Sequence, residues 1–227
     1  MSSNEIEDWG GKLPKAYKSK SHGINKDLKI QNLFRAIVLG PSYSGKTNLI
    51  FHILKHSPHI YSHLHIIARN PEQSLYNYLK DKLKDFITIY DPNEPPPSVD
   101  DIPNNGSLQL VIIDDYSNDK MLQKNIFTHY FTRGRHKLLS TIFLAHSYFD
   151  TYKTIRLNSE YVFILKANSK RDLQMVCKDF NIPEVNEDKM IKAYNKATAS
   201  KGQALFVDSV NQELRYNFGK KIDLNTL

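Results

Sequence analysis

The chain has 227 residues, 40% of them hydrophobic and 24% charged, a balance that excludes wholesale disorder and suits one α/β domain. Lysine and arginine number 31 against 24 aspartates and glutamates, a net charge of +7 that suits an anionic partner such as nucleic acid. The single cysteine, Cys177, excludes an internal disulfide, no apolar run is long enough to cross a bilayer, and the acidic start MSSNEIEDWGG does not read as a signal peptide, so a reducing compartment is expected.

Residues 1–30 are polar and lysine-rich. They read as an N-terminal arm, either anchored by Trp9 or loosely ordered, ahead of a domain over 31–227. Span 34–39 (FRAIVL) is a strand stopped by Gly40 and Pro41, and span 48–56 carries Leu49, Ile50, Ile53 and Leu54 at helical spacing. A strand at 64–68, a helix at 72–83 and a strand at 86–90 follow. Span 91–107 holds five of the ten prolines and reads as an exposed connection. Then come an apolar strand at 108–113, a helix at 120–131, strands at 140–145 and 160–166, helices at 169–180 and 187–196, and strands at 203–207 and 213–217. Strands and helices alternate, and the strands are nearly continuous apolar runs. That pattern predicts a mainly parallel sheet buried on both faces by helices.

Residues 40–47 read GPSYSGKT and satisfy G-x-x-x-x-G-K-[ST] through Gly40, Gly45, Lys46 and Thr47. Glycines let the loop curve and let its N–H groups close on a phosphate, and the next helix adds its positive dipole end and free N–H groups. Pro41, Ser42, Tyr43, Ser44 and Asn48 complete the expected nucleotide-binding stretch. Lys46 is placed to reach the β- and γ-phosphates, and the Thr47 hydroxyl to ligate Mg²⁺. Tyr43 is bulky for such a loop and suits packing on the nucleotide or on a neighbouring subunit.

The strand LQLVIIDDY ends in two carboxylates, and ligands of open α/β sheets bind beyond that strand end. Asp114 is expected to hold Mg²⁺, usually through water, and Asp115 to orient and deprotonate an attacking water. Strand 140–145 ends at His146, which reads as a γ-phosphate or water sensor if the two strands are neighbours. Upstream, TRGRHK supplies Arg133 and Arg135, and KTIRLNSEY supplies Arg156. One of the three is expected to act on the nucleotide of a neighbouring subunit, with a DNA phosphate contact or a surface charge as the alternative.

The succession GPSYSGKT, LVIIDDY, TRGRHKLLSTIFLAHSYF and IRLNSEYVFIL resembles the genome-packaging ATPases of poxviruses, other large DNA viruses and virophages, within the FtsK/HerA superfamily of P-loop motors. The resemblance spans roughly 34–180. It implies a three-layer, RecA-like (ASCE) P-loop fold with a strand between the phosphate-loop strand and the acidic strand. It implies a homo-oligomeric ring, commonly of six subunits, that hydrolyses ATP to pump double-stranded DNA into a preformed viral capsid. The expected setting is the host cytoplasm at the assembly site, or the virion. The chain departs from the pattern at Asp115, where many members carry Glu, and at His146, where many carry Gln. Independently of the resemblance, span 117–175 carries ten Lys/Arg against four acids, which suits non-specific, salt-sensitive DNA binding without base readout. Two other classes remain open at this point: a small-molecule phosphotransferase, and a non-catalytic assembly factor gated by nucleotide.

Overall fold

The computed structural model describes residues 8, 12–17, 21–166 and 168–227. Trp9, the expected anchor of the arm, lies outside the described residues. Leu13 and Tyr17 are exposed, whereas Leu28 and Ile30 are buried. The latter belong to a tight antiparallel hairpin, β1 (Ile24–Asn25) and β2 (Ile30–Gln31). Asn25 holds it. Its Oδ1 accepts from the backbone N–H groups of Asp27 and Leu28, and its Nδ2 donates to the His56 carbonyl at 2.9 Å.

Two βα units follow: β3 (Arg35–Leu39) with α1 (Lys46–Lys55), and β4 (Leu64–Ala68) with α2 (Ser74–Leu83). Next come β5 (Ile87–Ile89) and β6 (Gln109–Asp114). The helical segment after β6 is not uniform: α3 (Lys120–Leu122) passes through a π-helical turn, Gln123–Phe127, into α4 (Thr128–Arg133). The remainder is β7 (Leu139–Ala145), α5 (Lys153–Leu157), β8 (Tyr161–Leu165), α6 (Lys170–Phe180), α7 (Glu187–Ala197), β9 (Ala204–Asp208) and β10 (Glu213–Tyr216).

Among the described residues the main sheet has eight strands in the order β10-β9-β8-β3-β7-β6-β4-β5. From β8 to β5 all neighbours are parallel, and β9 and β10 add an antiparallel edge. The mainly parallel α/β fold expected from the apolar runs is present. So is the strand expected between the phosphate-loop strand and the acidic strand, because β7 lies between β3 and β6.

Strand side chains alternate between two cores. Ala36, Val38, Leu110, Ile112 and Leu144 pack with α1, α2 and the hairpin. Ile37, Leu39, Val111, Ile113 and Phe143 pack with the helices on the other face. The proline-rich connection is mostly exposed, as expected, but two of its side chains are not. Val99 and Ile102 are buried in the second of these cores, and Tyr130 donates its hydroxyl to the Pro97 carbonyl at 2.9 Å. Prolines forbid ladder hydrogen bonding there, yet two aliphatic side chains still find apolar cover.

The hairpin is tied to the far edge of the sheet by Arg215. Its guanidinium is 2% exposed, pairs with the fully buried Asp208 at 3.0 Å, donates to the Lys29 carbonyl at 3.1 Å and lies over the Phe206 ring. Removing one partner strands a buried charge. Asp208→Ala is expected to lower unfolding stability by about 3–5 kcal/mol in urea titration, and a loss below about 1 kcal/mol would show that the pair does not anchor this edge.

Candidate nucleotide site

Register brings the site together. Leu39 of β3 is level with Ala145 of β7, and Asp114 of β6 is level with Leu144 of β7. Gly40, Asp115 and His146, each the residue after its strand, therefore emerge side by side at the C-terminal edge of the sheet. A cavity of about 810 Å³ opens there. Pro41, Ser42, Tyr43, Ser44, Gly45, Lys46, Thr47 and Asn48 line it, together with Asp114, Asp115 and His146. The phosphate loop, both acids and the histidine thus share one cleft.

The loop is shaped by its glycines. A Cβ at Gly40 would stand 2.3 Å from Ser44 Oγ and 3.1 Å from Leu165 Cβ, so only glycine fits. Gly45 has φ +106° and sits against Gly202, to whose Cα an added Cβ would come within 3.4 Å. Gly45 is also the residue before α1, which begins with no side-chain cap. Its first N–H groups, together with the dipole, are left for an anion. Ser44 Oγ is buried without a hydrogen-bond partner among the described residues. Tyr43, at φ +62°, is 94% exposed and stands clear of its own chain.

Lys46 Nζ donates to the Gly40 carbonyl at 2.6 Å and to the Pro41 carbonyl at 3.1 Å. Burial lowers its pKa, and the nearby Asp114 and Asp115 oppose that shift. Asp114 is shifted the other way. Burial raises its pKa, while hydrogen bonds from Tyr76 and Gln73 and the charge of Lys46 hold it down against a further rise caused by Asp115. Asp115 stands in left-handed backbone at φ +65°, and its Oδ1 is 3.4 Å from His146 Nε2. The neighbourhood expected of β6 and the His146 strand is therefore real.

His146 is held from behind. Its backbone N–H donates to Ser117 Oγ at 3.2 Å. The Ser117 carbonyl accepts from the fully buried Gln123 at 2.7 Å, and Gln123 Oε1 accepts from the Tyr152 N–H at 2.6 Å. The next residue, Ser147, donates to the buried Asp172 at 3.0 Å, which also accepts from the Phe149 N–H at 2.9 Å.

The three arginines are not in this cleft. Arg133 and Arg135 precede β7 and Arg156 precedes β8, so all three lie toward the opposite, N-terminal edge of the sheet. Arg156 is turned inward, 12% exposed, 3.5 Å from Asp179 and stacked over Tyr148. Arg133 pairs with Asp100 at 3.2 Å, as does Lys137 at 3.0 Å. Arg135 is exposed and makes no ion pair among the described residues.

Sequence reasoning missed several residues that the cleft uses. Asn70, Gln73 and Leu75 reach it from the start of α2, and Lys201 and Gly202 from the loop before β9. Only Gly202 carried a local signal, as a glycine before a strand. The donor set suits a nucleoside triphosphate with Mg²⁺: inward N–H groups and a lysine for phosphate, and one acid with one hydroxyl for a hard cation that keeps most of its ligands from phosphate and water. No group of three His, Cys, Asp or Glu side chains able to cage a metal by itself occurs among the described residues.

No protein-family model matches the chain. No curated protein matches it in sequence. Solved structures do. The genome-packaging NTPase B204 from Sulfolobus turreted icosahedral virus 2, in complex with AMP, is similar with a TM-score of 0.62 at 15% identity, covering 82% of this chain and 97% of that one. The same protein in complex with AMPPCP matches at a TM-score of 0.57 and 15% identity, over 82% and 97% of the two chains. B204, the DNA-packaging ATPase from Sulfolobus turreted icosahedral virus, matches at 0.60 and 14% identity, again over 82% and 97%. The chain therefore shares the fold of these structures, a three-layer P-loop NTPase fold.

The Gly40 contact yields a direct expectation. Gly40→Ala forces Ser44 and the loop apart, so affinity for an ATP analogue in calorimetry should fall by about 10-fold or more while the fold is retained. Unchanged affinity would show that the loop does not hold the phosphates in this shape.

Proposed function

We propose that the protein is an ATP-hydrolysing motor that translocates double-stranded viral DNA into a preformed capsid. Residues 31–227 form its motor domain, and 1–30 form an arm whose last residues, Leu28 and Ile30, are packed onto it. The observation that carries the reading is the convergence of Lys46, Asp114, Asp115 and His146 on one cavity. The fold shared with B204 supports the packaging role.

In this reading the 40–47 loop wraps the phosphates. Lys46 leaves the Gly40 and Pro41 carbonyls and turns to the β- and γ-phosphates. Thr47 and Asp114 are the residues that would hold Mg²⁺, which would supply positive charge beside the phosphate oxygens. Asp115 accepts a proton from the water that attacks the γ-phosphorus, and the bond to the ADP oxygen breaks as that water adds. His146, hydrogen-bonded through Ser117 to the framework behind it, registers the change at Asp115. An arginine from a neighbouring subunit completes the site, and Arg135 is the best placed because Arg156 is buried against Asp179 and Arg133 is tied to Asp100. A homo-oligomeric ring, commonly hexameric, with a basic channel for DNA phosphates follows from that arrangement, without base readout and without a membrane partner. No helix among the described residues is long and apolar enough to cross a membrane.

Long double-stranded DNA is expected to stimulate phosphate release by the wild-type protein. Asp115→Asn should lower the stimulated rate by about 100-fold or more. Survival of the full rate in Asp115→Asn refutes the base assignment. Phosphate appearing on a nucleoside acceptor instead of in solution would favour a phosphotransferase.

The neighbour's arginine is tested by mixing. Arg135→Ala alone should cost about 10³-fold in rate, and Arg135→Ala mixed with Asp115→Asn should recover part of the activity, because some interfaces then pair an intact base with an intact arginine. No recovery argues against an inter-subunit site built on Arg135.

A further inference from the structure

Asp114 does not stand free at the end of β6. Its Oδ2 accepts from the Tyr76 hydroxyl at 2.8 Å and from Gln73 Nε2 at 3.3 Å. Tyr76 is fully buried among Leu79, Leu49 and Ile53, and its ring is fixed by that packing. A carboxylate only accepts, so the phenol must donate its one proton to Asp114. Gln73 lies one turn earlier, at the N-cap of α2, on the rim of the cleft. Both donors therefore meet the same oxygen. The other oxygen, Oδ1, has no hydrogen-bond partner among the described residues, and Asp114 lines the cavity.

We infer that Tyr76 and Gln73 are positioning residues that clamp Oδ2 of Asp114 and thereby reserve Oδ1 for the Mg²⁺–nucleotide complex. The inference rests on the reading of Asp114 as the metal-binding acid. It adds a structural source that the motif residues lack. Lys46, Thr47, Asp115 and His146 come from the β3, β6 and β7 ends, whereas the clamp comes from α2, after β4, on the far side of β6. Without it, a carboxylate 6% exposed could rotate about χ2 and present either oxygen. With it, the ring of Tyr76, held in the core, sets the carboxylate plane. Outer groups that fix a ligating carboxylate in this way commonly govern metal affinity by about 10–100-fold when removed.

The test measures metal and nucleotide separately. Mn²⁺ binding to the complex of the full chain with a non-hydrolysable ATP analogue is followed by electron paramagnetic resonance, and binding of the same analogue is measured calorimetrically in EDTA. Tyr76→Phe and Gln73→Ala are each expected to weaken Mn²⁺ binding, Tyr76→Phe by about 10-fold, and to weaken metal-free analogue binding less. Gln73 is at the rim, so Gln73→Ala carries the test if Tyr76→Phe fails to fold. Equal weakening with and without metal would reduce both residues to general support of the cleft and overturn the inference. Unchanged Mn²⁺ binding in both variants, with loss in Asp114→Asn, would overturn the clamp and leave the metal reading standing. Retained Mn²⁺ binding in Asp114→Asn would overturn the metal reading itself.

Discussion

Two groups of opposite charge, each drawn out of water, face one cleft. Burial works against the charge on Lys46 and against the charge on Asp114, and each offsets the cost for the other. That mutual dependence demands a particular strand order. Lys46 follows β3 and Asp114 ends β6, and the two strands are separated only by β7, whose own end supplies His146. Another strand inserted between them would part the two ends by about 4.8 Å, and a one-residue slip of β6 would send Asp114 to the other core face. The parity of β6 shows the constraint: Leu110 and Ile112 face the α1–α2 core, so Asp114 does too, and there it meets Tyr76.

The remainder of the fold holds these ends at fixed heights. Gln123, fully buried in a π-helical turn, bridges the chain after β6 to the chain after β7 through the Tyr116 and Ser117 carbonyls and the Tyr152 N–H. A π-turn inserts an extra residue into a helix and redirects a side chain that regular spacing would aim elsewhere. Here the redirected side chain joins the supports of Asp115 and His146. On the other flank, the antiparallel β9 returns Gly202 against Gly45, so the phosphate loop is braced by a segment more than 150 residues downstream.

The parallel sheet, its helices and the phosphate loop were legible because each depends on local chemistry: apolar runs of strand length, helical spacing, and a glycine pattern with one steric solution at Gly40. Strand bounds fell within a residue or two of those expected. What stayed hidden depends on contacts between distant residues. The helix at 72–83 reads with Leu75, Tyr78, Leu79 and Leu83 on its apolar face, whereas the structure buries Tyr76 with Leu79 and exposes Tyr78, and nothing local reveals that the hydroxyl of Tyr76 ends on Asp114. Gln123 reads as a solvated helix position, because its burial follows from the π-turn and from Tyr152. The hairpin at 24–31 has too few residues to show a period, and it is held by Asn25 and by Arg215, nearly 190 positions away. Val99 and Ile102 were masked by the prolines around them. The distinction among Arg133, Arg135 and Arg156 was also out of reach, since it rests on the placement of Asp100 and Asp179.

Those arginine placements carry a consequence for how the molecule must assemble if it is to use one of them. β7 runs seven residues from Leu139 to Ala145, a span of about 20 Å. Arg135 lies before its start, and the nucleotide cleft lies beyond its end. An arginine side chain extends only a fraction of that distance, so Arg135 has no route to the phosphates of its own chain. Arg133 and Lys137 converge on Asp100 of the proline-rich connection, whereas Arg135 is exposed and has no ion pair among the described residues. Exposure without an ion pair costs little in water, and becomes useful only when another surface brings anions to it. The cleft of a second copy, with a nucleotide bound, would supply those anions: it is open, and the exposed Tyr43 stands on its rim. The basic corner and the open cleft lie at opposite ends of the same strands, so a contact between them across two copies would be head-to-tail.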